Sequence, residues 1–314
     1  MIDDIFIINF LFKIKLSPSQ ICTKYGFNPV LGNNKIGTVF DPYVIKENNL
    51  YKMLVSWRPK GALAISISKD GIIWSDLKII LNKGKKESWE SIVNRACLIK
   101  FYNKYYLYYT GQNRGKSNIG LAISDDGINF KKNVNNPILK PEYIYEKDSV
   151  MIPNVIYDYE ENIFKMWYSA GETFEPDVIC YATSKDGINW IKYKNNPIFI
   201  ANKNILSLDS FKVGGSDVHK ISNNNYIMFY IGYSDIHTAR IFVAKSKNGI
   251  NSWKRSDNPI IIPTKGKFDN DACYKPTSIY DRKKNEWLIW YNGRRKSSEF
   301  IGLAFYKNFI FTFF

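Results

Sequence analysis

A motif of about ten residues recurs along the chain, and its spacing limits the fold more than any other feature. ISISKDGIIW (65–74), LAISDDGINF (121–130), YATSKDGINW (181–190) and VAKSKNGINSW (243–253) are copies of one pattern, with turn residues Asp70, Asp126, Asp186 and Asn248 at intervals of 56, 60 and 62 positions. Three copies run on into a common tail, NNPIL (135–139), NNPIF (195–199) and DNPII (257–261). Ahead of each copy stand an apolar run and then an aromatic-rich one, as in DPYVI followed by LYKMLVSW (50–57) and RACLI followed by YYLYYTG (105–111). The same opening recurs before IFKMWYSAG (163–171), YIMFYIG (226–232) and EWLIWYNG (286–293).

Asp-Gly and Asn-Gly between alternating apolar residues signal tight hairpins, because these residues tolerate the positive φ of a type I′ turn. Each repeat then reads as a four-stranded antiparallel meander, with no room in the period for a long helix. Five such units, each too small to bury both faces alone, predict an all-β, five-bladed β-propeller. The fifth unit has no NPI tail, whereas GFNPVLGNN (26–34) near the N-terminus has one without a repeat. An N-terminal strand near Asn28–Leu31 is therefore expected to close the ring, giving a propeller domain over 26–314 and an N-terminal extension over 1–25. A two-lobed α/β enzyme fails for lack of helical periodicity.

The net charge of +15, from 44 Lys and Arg against 29 Asp and Glu, invites a nucleic-acid reading. Only eight of the cations are arginine and the lysines are spread evenly, as low-GC codon bias would leave them, so no nucleic-acid partner is expected. Cys22, Cys97, Cys180 and Cys273 stand far apart, and His219 and His237 are the only histidines. That spacing excludes a Cys/His zinc site, and neither metal nor cofactor is expected. The apolar run within MIDDIFIINFLFKIKLS follows acids and precedes lysines, the wrong order for a secretory signal, and is too short to span a bilayer. A cytoplasmic location without a membrane span is the resulting expectation; nothing in the sequence fixes the oligomeric state.

In a propeller the Asp-Gly turns share one face, and they resemble the Asp-box of sialidases shortened by one residue, a fold element. The opposite face collects the starts of the first strands and the loops between second and third strands. Carboxylates there are costly unless paired or functional, which makes Asp41, Asp148, Glu172, Asp217 and Asp271 the catalytic candidates. Trp57, Arg58, Arg95, Asn154, Asp177, His219, Asp235, Tyr274, Lys275 and Arg294 are the candidates for holding substrate. Each has a structural alternative: Asp41 could cap the turn before Pro42, Asp271 could pair with Lys275 or Arg294, and His219 could be a satisfied core residue. The cations of this face predict an anionic group bound there.

Separated carboxylates in a polar funnel with aromatic residues at its rim suit glycosidic-bond cleavage, in which one acid protonates the leaving oxygen and another activates the attacking group. With its repeats, the Asp41-Pro42 pair on the first inner strand and acids on later inner strands, the chain resembles the five-bladed glycoside hydrolase superfold of families 43, 32, 62, 117 and 130. The resemblance covers nearly everything from residue 26. It implies that Asp41 is the general base of a family 43-like site, that Asp148 is the carboxylate tuning the pKa of the acid, and that Asp217 stands near the general acid. Where family 43 has Glu-Gly-Pro, this chain has Gly-Gly-Ser-Asp, so Glu172 competes with Asp217. The arginines and Lys275 resemble the phosphate-binding cations of family 130 phosphorylases, or fit a charged sugar. The expected function is a glycoside hydrolase acting on an oligosaccharide or glycoconjugate. The alternatives are a phosphorylase or glycosyltransferase on the same scaffold, and a propeller that only binds glycan.

Overall fold

In the computed structural model, which describes residues 20–308, antiparallel strands dominate and the repeat is visible as a repeated sheet. β2 (Val39–Glu47), β3 (Leu50–Trp57), β4 (Ala62–Ser68) and β5 (Lys78–Leu81) pair in chain order. The pattern returns in β6 (Ile92–Phe101), β7 (Lys104–Asn113), β8 (Lys116–Ser124) and β9 (Lys131–Lys132). It returns again in β10 (Ser149–Asp158), β11 (Ile163–Gly171), β12 (Pro176–Ser184) and β13 (Ile191–Lys192), with Ser149 pairing to Ser117 of the sheet before. β14 (Lys212–Ser222), β15 (Asn225–Tyr233), β16 (Ala239–Ser246) and β17 (Lys254–Arg255) make the next sheet. β18 (Ala272–Asp281), β19 (Glu286–Arg295) and β20 (Ser298–Asn308) take β1 (Gln20–Lys24) as their fourth strand. Helix among the described residues is limited to two single turns, Arg58–Lys60 and Ile144–Glu146.

The first strands pack against one another in sequence: β2 on β6, β6 on β10, β10 on β14, β14 on β18, and β18 on β2. Between neighbouring sheets lie layers of large side chains, such as Trp167, Tyr181, Tyr226 and Phe242, all buried. Each buries on the order of 150–250 Å², the dominant stabilising contribution in a chain with so few helical contacts. The indole N–H of Trp167 donates to the Gly249 carbonyl at 2.7 Å, that of Trp290 to the Gly71 carbonyl at 2.8 Å, and the Tyr108 hydroxyl to the Gly187 carbonyl at 3.0 Å. Two of the Asp-Gly turns and the Asn-Gly turn are thus pinned to an aromatic residue of an adjacent sheet.

Those turns differ from the expected two-residue hairpins. Residues 125–130 separate β8 from β9, and in this loop only Gly127 has positive φ (75°). The Ser124 hydroxyl accepts the N–H of Gly127 at 3.0 Å, and Asp126 Oδ1 accepts the N–H groups of Ile128 and Asn129 at 2.8 and 2.7 Å. Ser and Asp side chains close the loop by substituting for the missing backbone ladder, so a type I′ geometry is unnecessary. Ser184 with Asp186 and Ser68 with Asp70 repeat the arrangement.

Two of the three NPI tails are held by their asparagine. Asn136 exchanges two hydrogen bonds with the Leu121 backbone (2.8 and 2.9 Å), and Asn196 does the same with Tyr181. Near the N-terminus Asn28 makes the same pair of bonds with Leu303, and Leu31 bridges to Ile301. β1, which lies wholly within the 1–25 extension, adds its own pairing to β20; residues 1–19 of that extension lie outside the described residues.

Candidate active site

Each first strand carries a bulge at an equivalent place, where the register slips between Phe40 and Tyr43, Asn94 and Cys97, Met151 and Asn154, Gly214 and Asp217, and Tyr274 and Thr277. At each slip one residue adopts positive φ: Asp41 (53°), Arg95 (55°), Ile152 (53°), Gly215 (55°) and Lys275 (35°). Four of these are not glycine, so the backbone is strained where the five strands converge, a cost found chiefly where function requires it. Neighbouring hydroxyls anchor three of the bulges: Ser56 accepts the N–H of Arg95, Thr110 that of Ile152 and Ser169 that of Gly215, at 2.9–3.0 Å.

Above the bulges opens a cavity of about 490 Å³, within the range of small-molecule sites. Of the sequence candidates it brings together Asp41, Trp57, Arg58, Arg95, Tyr274 and Arg294. It also takes in Glu175 and Glu299, which the candidate set lacked. Arg95 Nε lies 3.6 Å from Asp41 Oδ2 and donates through its Nη atoms to the Thr173 and Phe174 carbonyls. Through these bonds Arg95 draws the β11–β12 loop, and Glu175 with it, over the cavity. Glu299 accepts from Arg58 at 2.5 Å and from Asn292 at 2.6 Å.

Burial pushes the Asp41 carboxyl up to about 6, with Arg95 the strongest opposing influence. Burial raises Glu175 as well, against a hydrogen bond from Tyr233 and the charges of Arg95 and Arg294. Lys275 is fully buried, and desolvation lowers its ammonium pKa despite the nearby Asp217 and Asp41. Asp41 Oδ2, Asn94 Oδ1, Arg95 Nε, Tyr274 OH, Lys275 Nζ and Asn292 Oδ1 are all buried without a hydrogen-bond partner among the described residues. All of these but Lys275 belong to residues lining the cavity, and so many orphaned polar atoms there mark a place built to meet a polar ligand.

The other candidates lie elsewhere. Asp217 is buried near Lys275, accepting from Ser278 at 2.6 Å and paired with His219 Nε2 at 2.9 Å; burial pushes it up, but His219, Lys275 and Ser278 hold it below the usual carboxylate range. His219 uses the same Nε2 for Asp217 and Ser278, so the three do not form a Ser–His–Asp relay, and its ring lines a depression away from the cavity. Asn154 turns its amide to Asp217 and to the Val218 N–H. Glu172 is captured by Lys212 at 2.6 Å, which lowers its pKa, and Asp177 by Lys147 and Lys212. Asp148 makes an exposed pair with Lys116, and Asp235 caps its own turn through the N–H groups of His237 and Thr238. Asp271 accepts from Asn270 and from the Lys296 N–H, outside the cavity rather than in pairs with Lys275 or Arg294.

Residues 64–205 match the glycosyl hydrolases family 32 N-terminal domain. Over 264 residues the chain is 25% identical to an uncharacterized protein of Mycobacterium tuberculosis, covering 79% of this chain and 83% of that protein. It is 27% identical to a 1,2-beta-oligomannan phosphorylase of Thermoanaerobacter sp. over 52% of this chain, which is 54% of the phosphorylase's length. Among solved structures, a thermostable family 43 glycoside hydrolase superposes with a TM-score of 0.66 at 18% identity, covering 86% of this chain and 90% of the other. A beta-1,2-mannobiose phosphorylase from Listeria innocua, in complex with beta-1,2-mannobiose, gives a TM-score of 0.69 at 14% identity over 91% and 96% of the two chains. No helix among the described residues is long and apolar enough to cross a membrane. The chain therefore has a glycoside hydrolase-like fold, similar to the family 32 N-terminal domain and shared with family 43 hydrolases and β-1,2-mannobiose phosphorylases.

Proposed function

We propose that the protein is a glycoside hydrolase, cleaving a glycosidic bond in the cavity at the centre of a five-bladed propeller that the N-terminal segment closes. The bonds of Asn28 and β1 to the last sheet, together with the cyclic packing of the first strands, support the ring. Deleting residues 20–34 is expected to abolish cooperative unfolding, since it leaves β20 an open edge; an unchanged melting transition would refute closure.

The observation that carries the reaction is the pair of carboxyls, Asp41 buried and Glu175 partly buried, with raised pKa values in one cavity. A carboxyl at about 6 is a competent proton donor near neutral pH, so Asp41 is better suited to protonate the leaving oxygen than to serve as the base that the family resemblance implies. Glu175, on the loop that Arg95 holds, is placed to activate water.

Phosphorolysis is the second reading, favoured by the cations at the same cavity and by the phosphorylases among the relatives. Activated glycosides turned over with and without inorganic phosphate separate the two: hydrolysis predicts release independent of phosphate, phosphorolysis a sugar 1-phosphate. Absence of turnover on every activated glycoside would leave neither standing.

A further inference from the structure

We infer that the substrate is an acidic glycan, and that a second, cationic cavity beside the first holds its charged sugar. This inference rests on the reading of the main cavity as a site of glycoside cleavage. The second cavity, of about 870 Å³, lies against the β15–β16 loop and the start of β18, and Arg294 lines both cavities. A saccharide chain reaching from the main cavity into the second would pass Arg294, the residue that lines both.

The arginines distinguish this corner from the general positive charge of the chain. Arg58, Arg95, Arg114 and Arg255 each face a carboxylate. Arg240, Arg294 and Arg295 form no ion pair among the described residues; Arg282, between β18 and β19, forms none either but lies outside both cavities. Neutral groups anchor them: Arg240 donates to the Ser234 hydroxyl at 2.9 Å, Arg294 to the His237 carbonyl at 2.7 Å and Arg295 to the Gly266 carbonyl at 3.1 Å. Arg294 is further fixed over the Tyr274 ring, 5.1 Å from its centroid. Anchoring by neutral partners holds a guanidinium in place without spending its charge.

Lys296 adds a further cation to the second cavity. The one carboxylate there, Asp271, has its oxygens engaged by Asn270 and by the Lys296 backbone N–H, both at 2.6 Å. Three cations thus face one carboxylate, an excess of positive charge. Leu208 and Ile262, partly exposed, give the cavity apolar walls against which a sugar ring can lie. A ring with a carboxylate, sulfate or phosphate-ester substituent matches both features, whereas a neutral sugar leaves the charge unmet.

Calorimetric titration of the full chain at low salt tests this, with glucuronate, glucose 6-sulfate and glucose 6-phosphate against glucose, and with inorganic phosphate and sulfate as free-anion probes. At least one acidic sugar should bind about tenfold more tightly than glucose and more tightly than the free anions, and weaken as salt is raised. Arg240→Gln and Lys296→Gln should each remove most of that preference, and Arg240→Lys should retain part of it, with unchanged melting temperatures confirming that the variants fold. Equal binding of glucose and all its acidic derivatives overturns the inference, as does a preference that survives both substitutions. Free phosphate or sulfate binding as well as the corresponding sugar ester also overturns it, since the cavity would then be a free-anion site. None of these outcomes bears on cleavage, which is lost as a reading only if the wild-type protein turns over no activated glycoside.

Discussion

On the face of the turns, Asp186 accepts hydrogen bonds from the Ile188 and Asn189 N–H groups and from the Ser184 hydroxyl, and these outweigh slight burial to hold its carboxyl at about 2. On the cavity face, Asp41 is buried, has an oxygen without a hydrogen-bond partner among the described residues, and is pushed up to about 6. The residue type is the same, and the environment inverts what it does. Where backbone donors surround a carboxylate, its charge stabilises the loop; where they are withheld, the protein keeps a carboxyl ready to exchange a proton near neutral pH. Substitution on the two faces should therefore separate stability from chemistry.

The largest effect is expected from Asp41→Asn, which preserves shape while removing the carboxyl proposed as the proton donor. Turnover of a glycoside with a poor leaving group should fall on the order of 10²–10⁴-fold, and much less for a good leaving group, which needs little protonation. In the wild type, kcat/KM for the poor leaving group should decline as pH rises through about 6, as the donor is lost. A leaving-group series with a pH profile checks both. Full activity of the variant on every substrate would erase the difference between the faces.

The second effect is on stability and runs the other way. Because the folded pKa of Asp41 is raised, the folded state binds the proton more tightly than the unfolded one. Wild-type stability should therefore fall, relative to Asp41→Asn, as pH rises from about 3.8 to about 6, by up to about 3 kcal/mol. Denaturant titrations of the two proteins at pH 4 and pH 7.5 measure this. A gap that closes at the higher pH would mean that Arg95 compensates Asp41 fully.

How far the sequence could be read follows the same division between faces. The turn face is legible because its residues act locally: serine, aspartate and glycine at fixed offsets close the same loop in successive units, and Asn28, Asn136 and Asn196 clamp the same backbone. Asp41 stands out because an acid on an apolar strand is costly unless it is paired or functional. The rest of the site depends on contacts between distant units. Glu172, Glu175 and Asp177 share one loop with nothing in their spacing to rank them, and it is Lys147 and Lys212 that capture the first and third while Arg95 draws the second to the cavity. The bulges break the alternation by which inward residues are read from a strand, so Asp217 and Asp148 could not be assigned to the cavity or away from it by counting. Glu299 belongs to the last strand, and only Arg58 and Asn292, far away or across the hairpin, reveal its place.

The smallest effect is expected at Asp186, where the comparison between faces is tested by the sign of the pH dependence. Asp186→Ala removes the acceptor of the Ile188 and Asn189 N–H groups, leaving solvent to satisfy them, and should cost about 1 kcal/mol at pH 7 once solvent screening of this exposed group is allowed for. Its folded pKa is depressed to about 2, so its contribution is present above about 3.8 and is lost as pH falls through about 2. The stability gap between wild type and Asp186→Ala should then shrink on acidification, whereas at Asp41 the gap between wild type and variant grows with rising pH because the variant is the more stable protein. Activity per folded molecule should stay unchanged, because the loop lies away from the cavity. Unfolding curves for both variants across the same pH series read the two signs together, and a common sign would mean that the two faces do not handle aspartate differently.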